Sequence, residues 1–211
     1  MLRPGDRSRH KSFELPGGGR TFALWANRRS IAYWRLKQRA LFTTSCARAR
    51  DPDIRAMHRT FAIELAQARD VPRIAAMSRD FIEHGLGWRW APHAIQRALR
   101  DRATNVAVAR GADGDVAGFG IMKYADTEAH LMLLGVVPGE RRLGVGTALV
   151  QWLEATAATA GIELVWLETR AGNDAARAFY RRLGYRELAR LPGYYRGRED
   201  ALRLGKDLAA G

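Results

Sequence analysis

Cysteine and histidine are scarce in this chain. The 211 residues include one cysteine, Cys46, and five histidines. A single thiol allows no internal disulfide, which is typical of a protein of the reducing cytoplasm. Cys46 also lies far from every motif described below, so it is a poor candidate for a nucleophile. The histidines have no spacing typical of zinc ligands, and we expect no metal site among His10, His58, His84, His93 and His130.

Acidic residues are few and long apolar runs are absent in the N-terminal part of the sequence. Residues 1–60 carry 14 Lys or Arg against 4 Asp or Glu, whereas residues 61–211 carry 21 against 18. The apolar run 22–25 is too short for a signal-peptide core or a membrane span. Basic residues interleaved with Trp25, Tyr33 and Trp34 are compatible with RNA binding, and the low acid content also with an organelle transit peptide.

The same composition cannot bury a core of its own. The simplest expectation is that residues 1–56 form a basic extension that is disordered or is an upstream translation, with Met57 as the natural start. Residues 57–211 would then form one domain with an adequate core. On this interpretation we expect neither a nucleic acid nor a membrane as partner.

A strand, a glycine-rich turn and a helix follow one another in the middle of the chain. The apolar run 131–137 predicts the strand, Pro138 ends it, and an apolar helical stripe begins at Ala148. Glycines let the main chain approach an anion, and the free N–H groups and dipole of a helix start favour its charge. No Walker or dinucleotide motif is complete here. The turn predicts a pyrophosphate site built from Arg141, Arg142, Leu143, Gly144, Val145, Gly146 and Thr147.

A second strand, loop and helix lie downstream. Residues 164–167 form a continuous apolar run, as expected of a central strand that is buried on both faces. The polar loop 171–174 leads into a helix over residues 175–183. Asp174 is the predicted N-cap of this helix, and Gly184 is its predicted end.

Together the two motifs resemble the GCN5-related N-acetyltransferases (GNAT). Arg141-x-x-Gly144-x-Gly146 is similar to that family's acetyl-CoA pyrophosphate loop. The downstream segment matches the family at Asn173, Ala176, Phe179, Tyr180, Gly184 and Tyr185. The run 166–173, with residues 194–195 and 199–201, looks like the bacterial ribosomal-protein alanine N-acetyltransferases. The resemblance implies acetyl-CoA as cosubstrate and direct transfer of its acetyl group to a primary amine in a ternary complex.

The resemblance also implies roles for two side chains. In those enzymes the glutamate that matches Glu168 is the general base, and the tyrosine that matches Tyr180 is the general acid. Glu168 is predicted near the C-terminal end of the central strand, where ligands of open α/β sheets collect, and Tyr180 lies on the next helix. In the alternative interpretation, Glu168 only pairs with Arg170 or Arg186, and Tyr180 only packs.

The strand before the turn carries Leu134, Gly135 and Val136, at the place where the family's strands splay at a bulge. A glycine inside a strand is typical of a bulge or of close backbone approach, and otherwise simply weakens the strand. The resemblance implies that the main-chain N–H of Gly135 or Val136 binds the thioester oxygen. With Asn173 and Tyr180, these residues complete the expected acetyl-CoA site.

The remaining patterns complete a mixed α/β fold. We expect helices at 70–82 and 92–102, and strands at 60–66, 106–109, 116–122, 186–190 and 201–207. With the two motifs, the predicted order is β-α-α-β-β-β-α-β-α-β-β. This order predicts a mixed central β-sheet flanked by helices, as in the GNAT fold.

The sequence determines the acceptor amine least. The aromatic loop that the resembling enzymes use beside the peptide is replaced here, so we expect Trp88, Trp90, Tyr194 and Tyr195 to border the acceptor. A peptide or protein N-terminal α-amine is the first expectation, with a small amine or a non-catalytic acetyl-CoA sensor as alternatives. His130 could face the acceptor, although a solvent-facing strand end is the simpler expectation. We expect a monomer or a homodimer.

Overall fold

The computed structural model describes residues 61–209, so the predicted basic extension lies outside the described residues. In this part of the chain the predicted element order is confirmed. The strands are β1 (Phe61–Leu65), β2 (Thr104–Gly111), β3 (Val116–Tyr124), β4 (Glu128–Val136), β5 (Leu164–Arg170), β6 (Arg186–Tyr195) and β7 (Glu199–Asp207). The α-helices are α1 (Val71–Phe81), α2 (Pro92–Arg100), α3 (Val145–Thr159) and α4 (Asp174–Arg182).

The strands form one mixed sheet in the order β1-β2-β3-β4-β5-β7-β6. Only β4 and β5 pair in parallel among the described strands, and the other neighbours are antiparallel. The parallel pair requires a crossover, which α3 supplies between the two strands. The predicted mixed sheet flanked by helices, the GNAT fold, is therefore confirmed.

Strand β2 is buried on both faces of the sheet. Val106 and Val108 belong to a core cluster that includes residues of α1 and α2. Ala107 and Ala109 belong to a second cluster, which includes residues of α3 and α4. Because alternate residues of a strand point to opposite faces, β2 is covered on both sides. In β4 and β5 only one face is buried and the other is half-buried, so the expectation that residues 164–167 are buried on both faces is wrong.

The parallel strands β4 and β5 separate along their length. They pair only where Glu128–His130 lies beside Leu164–Trp166, although β4 continues to Val136 and β5 to Arg170. On the other side of β4, Ile121 pairs with Leu133 while Met122 pairs with Leu131, so Met132 is an extra residue in the ladder. This irregularity bends β4 away from β5 and opens a gap toward the C-terminal ends of both strands.

The bulge is at Met132 and not at Gly135, so of the two alternatives for this glycine, close backbone approach is the one that is confirmed. Gly135 pairs regularly with Phe119 of β3. A Cβ atom at Gly135 would lie 2.7 Å from the Phe119 ring, and Phe119 is fully buried. The close approach of the Phe119 ring to the backbone therefore explains this glycine. The bulge depends on how β3 and β4 pair, and no single residue type predicts that pairing.

Gly135→Ala is expected to lower the free energy of unfolding by about 1–3 kcal/mol, because the added methyl group overpacks a closed core. The measurement is urea unfolding followed by circular dichroism, with an unchanged m value. Gly139→Ala is the matched control, because a Cβ at Gly139 meets no atom within 4 Å. Equal stability of the two variants would contradict the close-approach explanation.

Strand β6 is longer than the sequence predicts. It runs through residues 192–195, which were expected to form a loop holding Tyr194 and Tyr195. The register shifts between Leu191 and Tyr195, and Gly193 has a left-handed φ of 62°, so the chain bulges and then resumes pairing with β7. The Oδ1 atom of Asp200 accepts the N–H of Gly193 at 2.9 Å and fastens the bulge.

The prediction for the C-terminal end of α4 is confirmed, and the prediction for its N-terminal end is wrong. Gly184 follows the helix with a left-handed φ of 91°, as expected of a residue that ends a helix. The N-cap is Asn173, not Asp174: the Oδ1 atom of Asn173 accepts the N–H of Ala176 at 3.0 Å. Asp174 instead lies inside the first turn and pairs with Arg177 at 2.9 Å.

Candidate active site

A cavity of about 1100 Å³ lies against the sheet where β4 and β5 separate. Its floor includes His130, Met132 and Leu133 of β4 and Glu168 of β5. Trp90 precedes α2 and lines a second side, and Tyr194 and Tyr195 of β6 line a third. The cavity therefore brings Glu168 together with three of the four aromatic residues that the sequence assigns to the acceptor.

Glu168 is buried at the floor of this cavity, with 6% of its side chain exposed. The His130 Nε2 atom lies 2.9 Å from its Oε2, and the Arg203 Nη2 atom donates to its Oε1 at 2.8 Å. Burial alone would raise the pKa of Glu168, but the hydrogen bonds and charges of His130 and Arg203 outweigh it and hold that pKa below its usual value. Glu168 is thus a paired, ionised carboxylate.

The partners of Glu168 stack on the same tryptophan. The rings of His130 and Trp166 are 3.8 Å apart between centroids and only 10° from parallel. The guanidinium carbon of Arg203 lies 4.6 Å from the centroid of the same indole. These contacts restrict the rotamers of His130 and Arg203, so the charged groups around Glu168 are held in one arrangement.

The segment between α1 and α2 is tied down by a buried carboxylate. Glu83 accepts hydrogen bonds from the Ser78 hydroxyl at 3.0 Å and from the backbone N–H groups of Arg89 and Trp90 at 2.7 and 3.1 Å. These bonds place Trp90 on the cavity wall. Trp88 does not line the cavity; it is 44% exposed and stacks with Arg79, whose guanidinium carbon is 5.6 Å from the ring centroid.

The two tyrosines of β6 form the opposite wall. Their rings meet edge to face with centroids 5.1 Å apart. Arg170 lies 5.5 Å from the Tyr195 ring centroid, donates to Glu199 at 2.9 Å and donates to the His84 carbonyl at 2.8 Å. Arg170 therefore links β5 and β7 to the α1–α2 segment across the aromatic wall.

The glycine-rich turn has the backbone geometry of an anion site. It follows β4 and leads into α3, with Gly144 at the N-cap in a left-handed conformation (φ 86°). Arg142 is also left-handed, with a φ of 64°, which is uncommon for a residue with a side chain. In the described chain no side chain caps this helix. Its first N–H groups therefore remain available to a phosphate.

Arg141 of the turn contacts two neighbouring elements. The Arg141 Nε atom donates to the Val136 carbonyl at 3.2 Å, and its guanidinium carbon lies 5.7 Å from the Phe81 ring centroid. Arg141 thus fastens the turn to β4 and α1. The open space around Gly144, where a Cβ would meet no atom within 4 Å, together with the free helix start, fits the pyrophosphate of acetyl-CoA.

Tyr180 lies in the core, on the other side of the sheet from the cavity floor, and is not among the cavity's lining residues. It is 7% exposed and packs edge to face against Phe179 and Tyr185, with centroids 5.0 and 5.4 Å apart. Burial raises the pKa of the Tyr180 phenol. Phe179 in turn packs on the turn, since a Cβ at Gly146 would lie 3.4 Å from its ring. Tyr180 is therefore a protonated phenol next to the residue that contacts the glycine-rich turn.

Several residues of the site carry no sequence motif that predicts them. His130 contacts Glu168 and lines the cavity, so the expectation of a solvent-facing strand end is wrong. Arg203 forms the ion pair with Glu168, whereas the alternative interpretation of the sequence expected Arg170 or Arg186 to do so. Opposite register positions on β5 and β7 bring Glu168 and Arg203 together, and sequence alone does not determine that register.

Comparisons with known proteins agree on one family. Residues 62–185 match the model of the Acetyltransferase (GNAT) family. [Ribosomal protein bS18]-alanine N-acetyltransferase of Escherichia coli strain K12 is 39% identical over 93 residues, which are 43% of this chain and 63% of that protein. The chain therefore spans less than two thirds of the length of the curated relatives that it matches.

Solved structures show the same likeness. Ribosomal-protein-S18-alanine N-acetyltransferase from Escherichia coli matches with a TM-score of 0.60 and 28% identity, over 71% of this chain and 94% of that one. Ard1 from Thermoplasma volcanium matches with a TM-score of 0.61 and 27% identity, over 70% and 97% of the two chains. None of the helices within residues 61–209 is both long and apolar enough to cross a membrane.

Proposed function

The chain belongs to the GNAT acetyltransferase family, and from this premise we propose that it is an acetyl-CoA-dependent N-acetyltransferase. The observation that carries the proposal is the anion-type turn at the end of β4, beside the gap where β4 leaves β5 and above a cavity with buried Glu168 at its floor. With the pyrophosphate of acetyl-CoA at the turn, its thioester would reach the cavity through this gap, while an amine enters from the aromatic side.

Each part of the proposed acetyl-CoA site has a distinct task. The turn 141–147 holds the pyrophosphate, and the separated edge of β4 at residues 134–136 holds the pantetheine arm by strand-like pairing. The N–H of Gly135 or Val136 stabilises the oxyanion that forms on the thioester carbonyl. Asn173 fixes the start of α4 and borders the same end of the sheet.

The reaction is direct transfer in a ternary complex. The acceptor ammonium loses a proton on the Glu168 side of the gap, and its nitrogen attacks the carbonyl carbon of the thioester. The carbon–sulfur bond then breaks, and the thiolate takes a proton from Tyr180. The nitrogen keeps the acetyl group and loses its second proton to solvent, which reprotonates Tyr180. No residue needs to become acetylated. The proposed groups for proton transfer are Glu168 together with its partner His130 on one side, and Tyr180 on the other.

The acceptor is a peptide or protein N-terminal α-amine. The name of the bS18-alanine relative supports this class, and so does the open gap, whose unpaired strand edges are able to align an extended peptide. Trp90, Tyr194 and Tyr195 provide apolar walls for the first side chains of the peptide. The proposed partners are thus acetyl-CoA and a protein N-terminus.

The test is thiol release from acetyl-CoA by the full chain, with mass spectrometry of the products. Acceptors are peptides that begin with Ala or Ser, the same peptides with a blocked α-amine, and small amines such as a polyamine and an amino acid. We expect acetylation at the free α-amine alone. Turnover only with small amines would contradict the peptide proposal, and acetyl-CoA binding without any turnover would favour a sensor.

A further inference from the structure

We infer that His130 takes the proton from the acceptor amine and that Glu168 acts through His130, not on the amine itself. The inference rests on the proposed function and names the base of that same site. It follows from the arrangement of three side chains on neighbouring strands: His130 of β4, Glu168 of β5 and Arg203 of β7.

The first observation is that Glu168 has little access to a substrate. Its side chain is 6% exposed, one oxygen is paired with His130 and the other with Arg203. His130 lines the same cavity and has 26% of its side chain exposed. The imidazole is therefore the more accessible of the two titratable groups.

The second observation is the tautomer that the contact with Glu168 favours. A His130 Nε2 atom 2.9 Å from the Glu168 Oε2 atom favours the tautomer with its proton on Nε2, which leaves the lone pair of the neutral ring on Nδ1. When Nδ1 takes a proton, the ring becomes a cation that is already hydrogen-bonded to an anion. A carboxylate that orients a histidine and stabilises its charged form is the arrangement used in general-base dyads.

The third observation is that the imidazole is held in place. The Trp166 indole stacks on His130 at 3.8 Å, which fixes the plane of the ring. A base whose ring is already fixed loses little conformational freedom when the substrate binds, so orienting it for proton transfer costs little free energy. A histidine at an unconstrained strand end would have neither the stacking partner nor the carboxylate.

Charged and titratable groups of both signs surround the ring. Glu168 favours the imidazolium, whereas Arg203 next to Glu168 opposes it. Lys123 of β3 stands opposite His130 in the strand register and pairs with Asp101 at 3.0 Å, so its charge is partly compensated. Tyr194 and Tyr195 face the same cavity, as do three arginines from the α1–α2 segment, α2 and the β6–β7 turn.

The proton transfers balance in this scheme. An ammonium gives one proton to Nδ1 of His130, and the amine lone pair then forms the carbon–nitrogen bond to the thioester carbon. As the carbon–sulfur bond breaks, the sulfur takes a proton from Tyr180, and the second amine proton leaves to water and restores the phenol through solvent. His130 returns its proton to solvent, so each cycle releases one net proton.

The experiment compares the full chain with His130→Gln, Glu168→Gln and the double variant, using an Ala-starting peptide as acceptor. His130→Gln is expected to lower kcat by about tenfold, below the usual range of general-base effects, because water can still take the proton. In this variant the fall of kcat toward low pH should disappear, while KM for acetyl-CoA stays unchanged. His93→Gln, on the exposed face of α2, is the matched control.

The double variant tests whether His130 and Glu168 act as one unit or as two independent groups. If Glu168 acts through His130, the double variant is no slower than the slower single variant, because the losses are not additive. Additive losses, or an unchanged pH profile in His130→Gln, would overturn the inference. Urea unfolding of each variant excludes a folding defect as the cause of any loss.

A second readout does not depend on activity. In protein labelled with ¹⁵N-histidine, the signals that vanish in His130→Gln belong to His130, and we expect them to show the Nε2–H tautomer in the neutral form. The Nδ1–H tautomer would overturn the inference. Absence of turnover with every acceptor would instead contradict the proposed function, and the NMR result would still decide the state of His130.

Discussion

Gly144→Glu is expected to weaken acetyl-CoA binding by at least about 100-fold, which corresponds to about 2.8 kcal/mol of binding free energy. Gly144 has a φ of 86°, and a left-handed residue with a side chain costs about 1–2 kcal/mol. The new carboxylate also stands at the uncapped start of α3, where it repels phosphates and competes for the same N–H groups. Isothermal titration of the full chain with acetyl-CoA measures the loss.

Gly139→Glu is the matched control for this charge. Gly139 precedes the turn, has no left-handed φ, and offers open space to a side chain. The same carboxylate is introduced five positions earlier, away from the start of α3. We expect this variant to keep most of its acetyl-CoA affinity. If Gly144→Glu binds as tightly as Gly139→Glu, the turn is not the phosphate site.

The order of elements could be predicted from the sequence because each element carries its own local signal. The turn around Gly144 joins an apolar strand to a helical stripe, and Gly184 ends α4 with the left-handed conformation that glycine favours. Such signals depend on a few neighbouring residues and on hydrophobic period. They predict where a helix or strand lies, and with the GNAT resemblance they predict the fold.

The surroundings of Glu168 could not be predicted in the same way. His130 is 38 positions earlier and Arg203 is 35 positions later, and both meet Glu168 through strand pairing. A shift of register by one residue would turn either side chain to the other face of the sheet. The bulge at Met132 depends equally on how β3 and β4 pair. Contacts of this kind require the assembled sheet.

Their positions on opposite faces of the sheet suit Glu168 and Tyr180 to the different tasks that we propose for them. Glu168 is ionised and paired at the cavity, which suits the side where the ammonium loses its proton. Tyr180 is packed in the core cluster of α3 and α4, where burial raises the pKa of its phenol. A phenol that stays protonated near neutral pH serves as a proton donor and is a poor base.

Tyr180→Phe is therefore expected to lower kcat by at least about 100-fold, within the range of about 10²–10⁴ that is typical of general acid–base catalysis. Affinity for acetyl-CoA should change little, because phenylalanine keeps the edge-to-face contacts with Phe179 and Tyr185. The measurements are kcat from thiol release and the acetyl-CoA dissociation constant from titration. Because the phenol remains protonated near neutral pH, the wild-type rate should show no decline from Tyr180 between pH 7 and 9.

Tyr185→Phe is the matched control for the loss of a hydroxyl group. Tyr185 is 3% exposed, packs on Tyr180 in the same cluster, and has no role in the proposed mechanism. Both variants remove one oxygen from a buried aromatic ring, so a general loss of packing would slow both enzymes alike. A kcat that falls only in Tyr180→Phe, at unchanged acetyl-CoA affinity, assigns the loss to protonation of the leaving thiolate. Equal rates in Tyr180→Phe and the wild type would remove Tyr180 from the mechanism and leave solvent as the proton donor.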